Sequence, residues 1–500
     1  MDGLSARLLK AAAPAISPSL TNIINQSLST GVFPEKWKTA RVAPLHKAGD
    51  KSDKGNYRPI SILCVVSKII ERHVHESLYK YFTENGLLYI AQSGFRAFHS
   101  CETALIKLVD KWTENIENGL LNGIVFLDLR KAFDLVDTNI LLQKLELYGC
   151  DENSMLWFKS YLQGRQQCVQ YKGQFSAKQS VTHGVPQGSI LGPLLFIVYM
   201  NDLPLFLNNP IDMFADDSTL HCSGKTIPEL ETKLNIDMEN TRKWCTQNKM
   251  AVNETKTKTM LITTYQKETV MKANSINVTY QGANLENVES EKILGVQIDK
   301  HLTWENQVNN VCKKVSKGIA LLRRIKAYLS HDLRVQYYKA FIQPHLDYCS
   351  VVWGHSHHVM PKSETLQPRL LKLQKMAMRI ICDQPKLAHS NPLFKKCGVL
   401  KIADRVKLRT LTMVYKSLNG LAPPYMSEMF NPLVNVNKRV TRNSVKHHQL
   451  HVAKDKLEIR RKCVRHMGAM YYNDLPVEYR EVNGVQDFKT KLYKDMLDRF

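Results

Sequence analysis

The sequence predicts an α+β fold with more than one folded unit, and three observations predict it. Helical periodicities and short strand-like runs are interleaved through residues 1–300. Two of those runs flank a tight turn, FADD at 214–217, which is the pattern of a hairpin. From Leu302 onward the chain reads as helical and basic, and its 500 residues exceed what one ordinary core organises.

In chain order, residues 4–30 read as a helix ending at the break GVFPEKW (31–37). APLHKAGDKSDKGNYRPIS (43–61), rich in Lys, Gly and Asp, reads as a loop. Between Val65 and Phe82, apolar residues recur at helical spacing (Val66, Ile69, Ile70, Val74, Leu78), and Gly86 follows as a stop. A further helix is expected over Ser100 to Gly119. GIVFLDL (123–129) is a continuous apolar run with β-branched residues, so it reads as a buried strand. Helices over 137–149 and 152–162 follow, then strand-like QCVQY (167–171).

After the turn GVPQGS, the run ILGPLLFIVYMNDL predicts a helix entered from a glycine-rich loop. Thr226-Ile227-Pro228-Glu229 is a capping box with proline near the helix start, predicting a helix from Ile227 to Asn248. TKTKTMLIT (255–263) and KILGVQID (292–299) read as strands, and VCKKVSKGIALLRRIKAYL (311–329) is the clearest basic helix. Composition shifts near residue 300, and more weakly near 360 at HSHHVMPKS. With the break after the first helix, four segments are expected: 1–40, 41–300, 301–360 and 361–500.

An apolar fraction of 44% with no internal repeat is that of a globular protein. The longest apolar run, ILGPLLFIVYM, is too short to span a bilayer, and the first residues lack a signal-peptide core, so no membrane partner is expected. Eleven cysteines, an odd number with no CxxC pair, argue for reduced thiols inside the cell. They argue equally against a disulfide scaffold and an obvious zinc site. The expected location is intracellular, nucleus or cytoplasm, rather than secreted.

The net charge of +23 is unevenly placed. Residues 1–300 hold 33 Lys+Arg against 31 Asp+Glu, whereas residues 301–500 hold 36 against 15. A positive field confined to the last two fifths is the footprint of a surface that follows a phosphate backbone. The plain alternatives are solvated basic helix faces or contact with an anionic membrane, and no single helix shows the wide apolar face that an interfacial anchor needs.

Asp128 interrupts an otherwise apolar strand, where a charge is costly unless paired, coordinated or at the strand's exposed end. Pairing with Arg130 or Lys131 would explain it, but neighbouring strand residues point to different faces. Asp216 and Asp217 raise a similar question, since an Asp pair also suits a surface turn. Three carboxylates brought together from two strand elements would hold hard divalent cations, and magnesium suits so small a set. Two Mg2+ ions, with Mn2+ as a substitute, would activate a hydroxyl and stabilise leaving pyrophosphate. With the basic C-terminal region, this points to a template-directed polymerase.

FLDLRKAFD, GVPQGSILGPLLFIVYMND, FADD, WCTQNKMAVNETKTKTM and ILGVQIDKHLTW occur in the order of the palm motifs of reverse transcriptases. The chain resembles those of non-LTR (LINE-type) retrotransposons, jockey-type branch. NYRPISIL and QSGFRAFHSCETAL resemble that family's fingers, and IKAYLS through QPHLDYCSVVWG its thumb; APPYM and YNDLP are similar to its C-terminal tail. The resemblance implies a right-hand polymerase: fingers and palm over 41–300 with an antiparallel sheet, a helical thumb over 301–360, and a basic helical region over 361–500.

By position, the resemblance implies Asp128, Asp216 and Asp217 as catalytic metal ligands. It implies Phe133 as the gate against a ribose 2′-hydroxyl, although a core Phe is the plain alternative. Gln187 and Gly188 match the loop along nucleotide and template. Lys47 and Arg58 match basic residues that grip the triphosphate, a task suited to a guanidinium fork. Lys256 matches a lysine that protonates pyrophosphate, or is a solvated strand-edge lysine, and Leu294-Gly295 matches the hairpin that holds the primer end. The implied partners are an RNA template, a DNA primer or nicked target DNA, and dNTPs. The family's endonuclease has no counterpart in these residues and is expected from a missing domain or in trans. A rival of another class is an inactive RNA-binding protein derived from such an element.

Overall fold

The computed structural model describes residues 5–272, 274–360, 368–433 and 449–499. The composition shift near residue 360 borders 361–367, which lie outside the described residues. In order, the chain forms α1 (Ala6–Thr30), β1 (Thr39–His46), β2 (Tyr57–Ile62), α2 (Ser67–Glu84), α3 (Cys101–Glu117), β3 (Leu121–Leu127), α4 (Thr138–Leu147), α5 (Glu152–Leu162) and β4 (Arg165–Tyr171). Then come β5 (Gln174–Phe175), β6 (Gln179–Val181), α6 (Leu191–Met200), β7 (Ile211–Phe214), β8 (Asp217–Gly224), α7 (Ile227–Gln247), β9 (Lys258–Ile262), α8 (Tyr265–Met271), β10 (Thr279–Tyr280), β11 (Ala283–Asn284), β12 (Glu286–Asn287), β13 (Ser290–Ile293) and β14 (Val296–Asp299). Helices follow: α9 (Glu305–Ile325), α10 (His331–Tyr337), α11 (Gln343–Asp347), α12 (Ser350–Trp353), α13 (Arg369–Ile381), α14 (Asn391–Cys397) and α15 (Ile402–Leu418), with shorter ones after them.

Local signals explain the helix ends. Gly31, at φ 67°, supplies the left-handed residue that stops α1. Ser100 and Thr103 form a reciprocal capping box at the start of α3. At α7 only half of the expected box forms: Thr226 caps Glu229, but the Glu229 carboxylate accepts from the Lys225 N–H instead.

The sequence reading needs three corrections. Residues 43–61 do not form a plain loop, because β1 and β2 pair antiparallel from Arg41↔Ile62 to His46↔Tyr57. Pro44 faces Pro59 in that ladder, and two prolines with an exposed Leu45 hide the alternation that marks a strand. KILGVQID is two strands, β13 and β14, because Leu294 and Gly295, both with positive φ, reverse the chain between them. In TKTKTMLIT the strand begins only at Lys258, after a turn.

The central sheet has the order β12-β9-β3-β8-β7 and is antiparallel except for β12 on β9. Of the seven β3 residues all but Phe126 are buried, as expected for a strand with neighbours on both edges and helices over both faces. The pleat sends Ile124 and Met260 into one apolar cluster with α3 and the helices after Leu302, and Val125 and Leu261 into another with α6 and α7. The C-terminal helices thus share a core with the sheet. Several of their cations serve that docking: Arg460 pairs with Asp110 (2.6 Å) and Arg409 with Glu102 (2.9 Å), both acids on α3. The exposed face of α9 keeps Lys313, Lys314, Lys317, Arg323 and Arg324 in solvent.

Candidate active site

Asp128 follows the last residue of β3, so the apolar strand ends just where the charge begins. Its backbone is held from the other side of the sheet. The Asp128 N–H donates to Thr257 Oγ1 (3.2 Å), the Asn253 N–H to the Asp128 carbonyl (2.8 Å), and the Arg130 N–H to the Ala251 carbonyl (2.8 Å).

In the β7–β8 hairpin Phe214 pairs with Asp217, leaving Ala215-Asp216 as a two-residue turn. Ala215 sits at φ 59°, a conformation that costs a non-glycine residue about 1 kcal/mol or more. The turn is clamped by a segment more than 100 residues earlier. Buried Gln92 accepts through Oε1 from the N–H groups of Ala215 (3.0 Å) and Gly94 (2.8 Å). Ser93 and Ala91 exchange backbone bonds with Met213 on β7. A Cβ on Gly94 would lie 2.3 Å from the Ala215 nitrogen, so only glycine allows this approach. The sequence reading assigned no role to Gln92 or Gly94. Beyond the resemblance of QSGFRAFHSCETAL to the fingers, their one signal there was a glycine in QSGF, which says nothing of a partner 121 residues away.

The charges at the tip are poorly compensated. Burial raises the Asp216 carboxyl above its usual range and the charge of Asp128 adds to this, while Arg58 and Lys47 offset part of it. Asp217 is pushed up to about 6 by burial, then by Asp216 and Asp128, with Arg58 opposing. Asp217 is also exposed to solvent; an acid can touch water and still lie where surrounding protein atoms thin its hydration. Four residues down the same hairpin, Asp212 is different. Lys107 (2.6 Å) and His221 (2.9 Å) flank it and hold it below the usual carboxylate range despite burial.

Among the described residues, oxygens from Asp128, Asp216 and Asp217 do not all come within 4.8 Å of one another. The donor set still fits divalent cations, because two ions about 3.5–4 Å apart spread their ligands rather than gathering them at a point. Magnesium also keeps water and phosphate in its shell.

The remaining expected residues fall into two groups. Arg58 lies on β2 and Lys47 just beyond β1, both within electrostatic reach of the hairpin tip. Gln187 donates from Nε2 to Asp134 (2.8 Å), and its carbonyl accepts from the Ser61 N–H (2.8 Å). Gly188, at φ 131°, passes so close to β2 that a Cβ would lie 2.3 Å from the Ser61 carbonyl oxygen. Phe133 is half-buried, stacked on Phe196 at 4.0 Å and edge-on to Phe95 at 6.2 Å. Two expected elements remain, and the turn that carries the first, 253–257, is hydrogen-bonded to the Asp128 backbone. Lys256 is exposed in the turn before β9. Leu294 and Gly295 rest against Tyr348, whose hydroxyl donates to the Leu294 carbonyl (2.7 Å).

Residues 45–298 match the model of the family described as reverse transcriptase (RNA-dependent DNA polymerase). The chain is 27% identical over 423 residues to the probable RNA-directed DNA polymerase from transposon BS of Drosophila melanogaster, covering 82% of this chain and 45% of that protein. It is 27% identical over 447 residues to the RNA-directed DNA polymerase from mobile element jockey of the same species, covering 86% and 47%. The chain thus spans about half the length of the curated relatives it matches. Among solved structures, apo telomerase from Candida tropicalis aligns at 13% identity over 78% of this chain and 67% of that one, with a TM-score of 0.40.

Proposed function

The chain belongs to the reverse transcriptase (RNA-dependent DNA polymerase) family, and on that premise we propose that it extends a DNA 3′-hydroxyl with dNTPs on an RNA template. The observation that carries this reading is the poorly compensated acid cluster: Asp216 and Asp217 at a clamped hairpin tip, Asp128 at the end of the adjacent strand, and Arg58 within electrostatic reach. Asp216 and Asp217, raised by burial and then by neighbouring negative charge, are poised to take up cations.

Asp128, Asp216 and Asp217 would hold two Mg2+ ions. Bound there, the ions would lower the pKa of the primer hydroxyl and neutralise the charge of the leaving pyrophosphate. Arg58 and Lys47 grip the triphosphate, Arg58 through its planar fork. Gln187 and Gly188 line the nucleotide's path, with Gln187 fixed by Asp134 and Gly188 by its approach to β2. Phe133, buttressed by Phe196, stands as the gate against a ribose 2′-hydroxyl. The basic face of α9 follows the template–primer backbone, and priming occurs at DNA nicked by an endonuclease acting in trans or from a further domain.

Primer extension by the purified chain on an RNA template, with dNTPs and magnesium, tests the reading; no extension would leave the RNA-binding alternative standing. Phe133→Val should admit ribonucleotides at the expense of selectivity. Unchanged dNTP preference removes the gate assignment.

A further inference from the structure

Three soft donors converge among the helices after α9. Cys382 Sγ lies 3.5 Å from Cys397 Sγ and 3.9 Å from His331 Nε2, and the three atoms all fall within 4.8 Å of one another. Among the described residues no other set of three His, Cys, Asp or Glu side chains does so. The reading of the sequence found no zinc pattern because the spacing, 331, 382 and 397, matches none; the fold makes the cluster by bringing three helices together. His331 is the first residue of α10, Cys382 directly follows α13, and Cys397 is the last residue of α14.

The separations suit a tetrahedral ion. With Zn–S near 2.3 Å and Zn–N near 2.0–2.1 Å, the S···S and S···N edges of a tetrahedron are about 3.8 and about 3.5 Å. The observed 3.5 and 3.9 Å differ from these by a few tenths of an ångström. The sulfurs are also far beyond the ~2.05 Å of a disulfide, and both cysteines are free.

Neighbouring groups hold the donors in place. His331 Nδ1 lies 3.3 Å from the Asp332 carboxylate, so a proton kept on Nδ1 leaves the Nε2 lone pair facing the thiols. Asp383, next to Cys382, is tied to Lys326 (3.0 Å) and to Arg334, which fixes the end of α13 against α9 and α10. Cys397 is buried while His331 and Cys382 are half-buried, so the cluster opens to solvent on one side.

We propose that His331, Cys382 and Cys397 bind one soft divalent cation, zinc, with water as the fourth ligand, and that the ion staples α10, α13 and α14. Thiolate and imidazole donors select against the hard magnesium ions expected at the carboxylates. Binding releases the thiol protons to solvent, with no redox step.

The test uses the full chain under a phosphine reductant, with excess magnesium, and cobalt(II) as the spectroscopic probe. A thiolate-to-cobalt charge-transfer band should grow to saturation at one ion per chain and collapse on adding zinc. Carboxylate sites give no such band. Cys382→Ser and Cys397→Ser should each lose intensity and bind at least about tenfold more weakly, whereas Cys150→Ser, at a remote thiol, should match wild type. His331→Asn, at a half-buried helix start, should stay folded by circular dichroism yet weaken binding by a similar factor. No band in the wild type overturns the proposal, and so does a band that persists in the Cys382→Ser/Cys397→Ser double variant. Should the serine variants fail to fold, unchanged affinity in folded His331→Asn overturns it as well.

Discussion

Asp212 and Asp216 sit four residues apart on one hairpin and meet opposite electrostatics. At the base, Lys107 and His221 flank Asp212 and hold it ionised inside the protein. At the tip, burial and the charge of Asp128 raise both Asp216 and Asp217, and Arg58 and Lys47 of the β1–β2 hairpin region offset only part of this. The base is closed because its acid belongs to the fold, and an unpaired buried charge would be costly. The tip remains short of positive charge, a deficit that exogenous cations can fill. Neutralisation by the protein's own side chains thus separates a structural acid from one available for ligands.

The largest break in that comparison should come from Asp216→Asn, which leaves the fold intact and lowers primer extension by at least ~10³-fold, reflecting the several kcal/mol a bound metal contributes to the transition state. Asp212→Ala should do the reverse. It should cost about 3 kcal/mol in denaturant unfolding by stranding His221 and Lys107, at the low end for a buried pair because Lys107 reaches solvent. Loss of extension without loss of stability in Asp212→Ala would erase the distinction between base and tip.

Gly94→Ala should displace the tip without touching any acid. Its Cβ meets the Ala215 backbone, and a misplacement near 1 Å costs on the order of 10²-fold in rate. Wild-type turnover in that variant would show that the clamp is not needed. The smallest effect belongs to Asp217→Asn in magnesium-free buffer. A carboxyl whose folded pKa is raised from 3.8 to about 6 destabilises the fold once ionised. The variant's thermal midpoint should therefore equal wild type below pH 3.8, rise above it as pH approaches about 6, and then stay level. The shift should be modest because Asp217 is exposed. Its activity should also exceed that of Asp216→Asn, since adjacent residues on a hairpin aim apart; equal losses would reverse that ranking.

What the sequence revealed depended on whether the cause was local. The helices over Ala6–Thr30 and Ile227–Gln247 were legible from periodicity and caps, and Asp128 and FADD from acids placed where apolar runs end. The β1–β2 hairpin was not, because its prolines and exposed positions conceal the two-residue period. The Gln92–Ala215 clamp and the His331–Cys382–Cys397 cluster were also out of reach, since each depends on contacts across dozens of residues. The basic tail was legible as charge and as helices, but not in what its cations do: Arg409 and Arg460 serve α3, whereas Lys313, Lys314, Lys317, Arg323 and Arg324 stay exposed on α9.

The shared core has a consequence for biosynthesis. Ile124 and Met260 lie on a sheet face that α3 and the β13–β14 hairpin cover only in part, and the rest of its cover comes from residues 302–496. At ~5–20 residues per second, translation of that stretch takes roughly 10–40 s. Throughout that interval the nascent central sheet presents an unfinished apolar face. Chaperone supply and ribosome pausing after residue 300 should therefore govern the soluble yield of this chain, and premature termination there should release a species prone to aggregate.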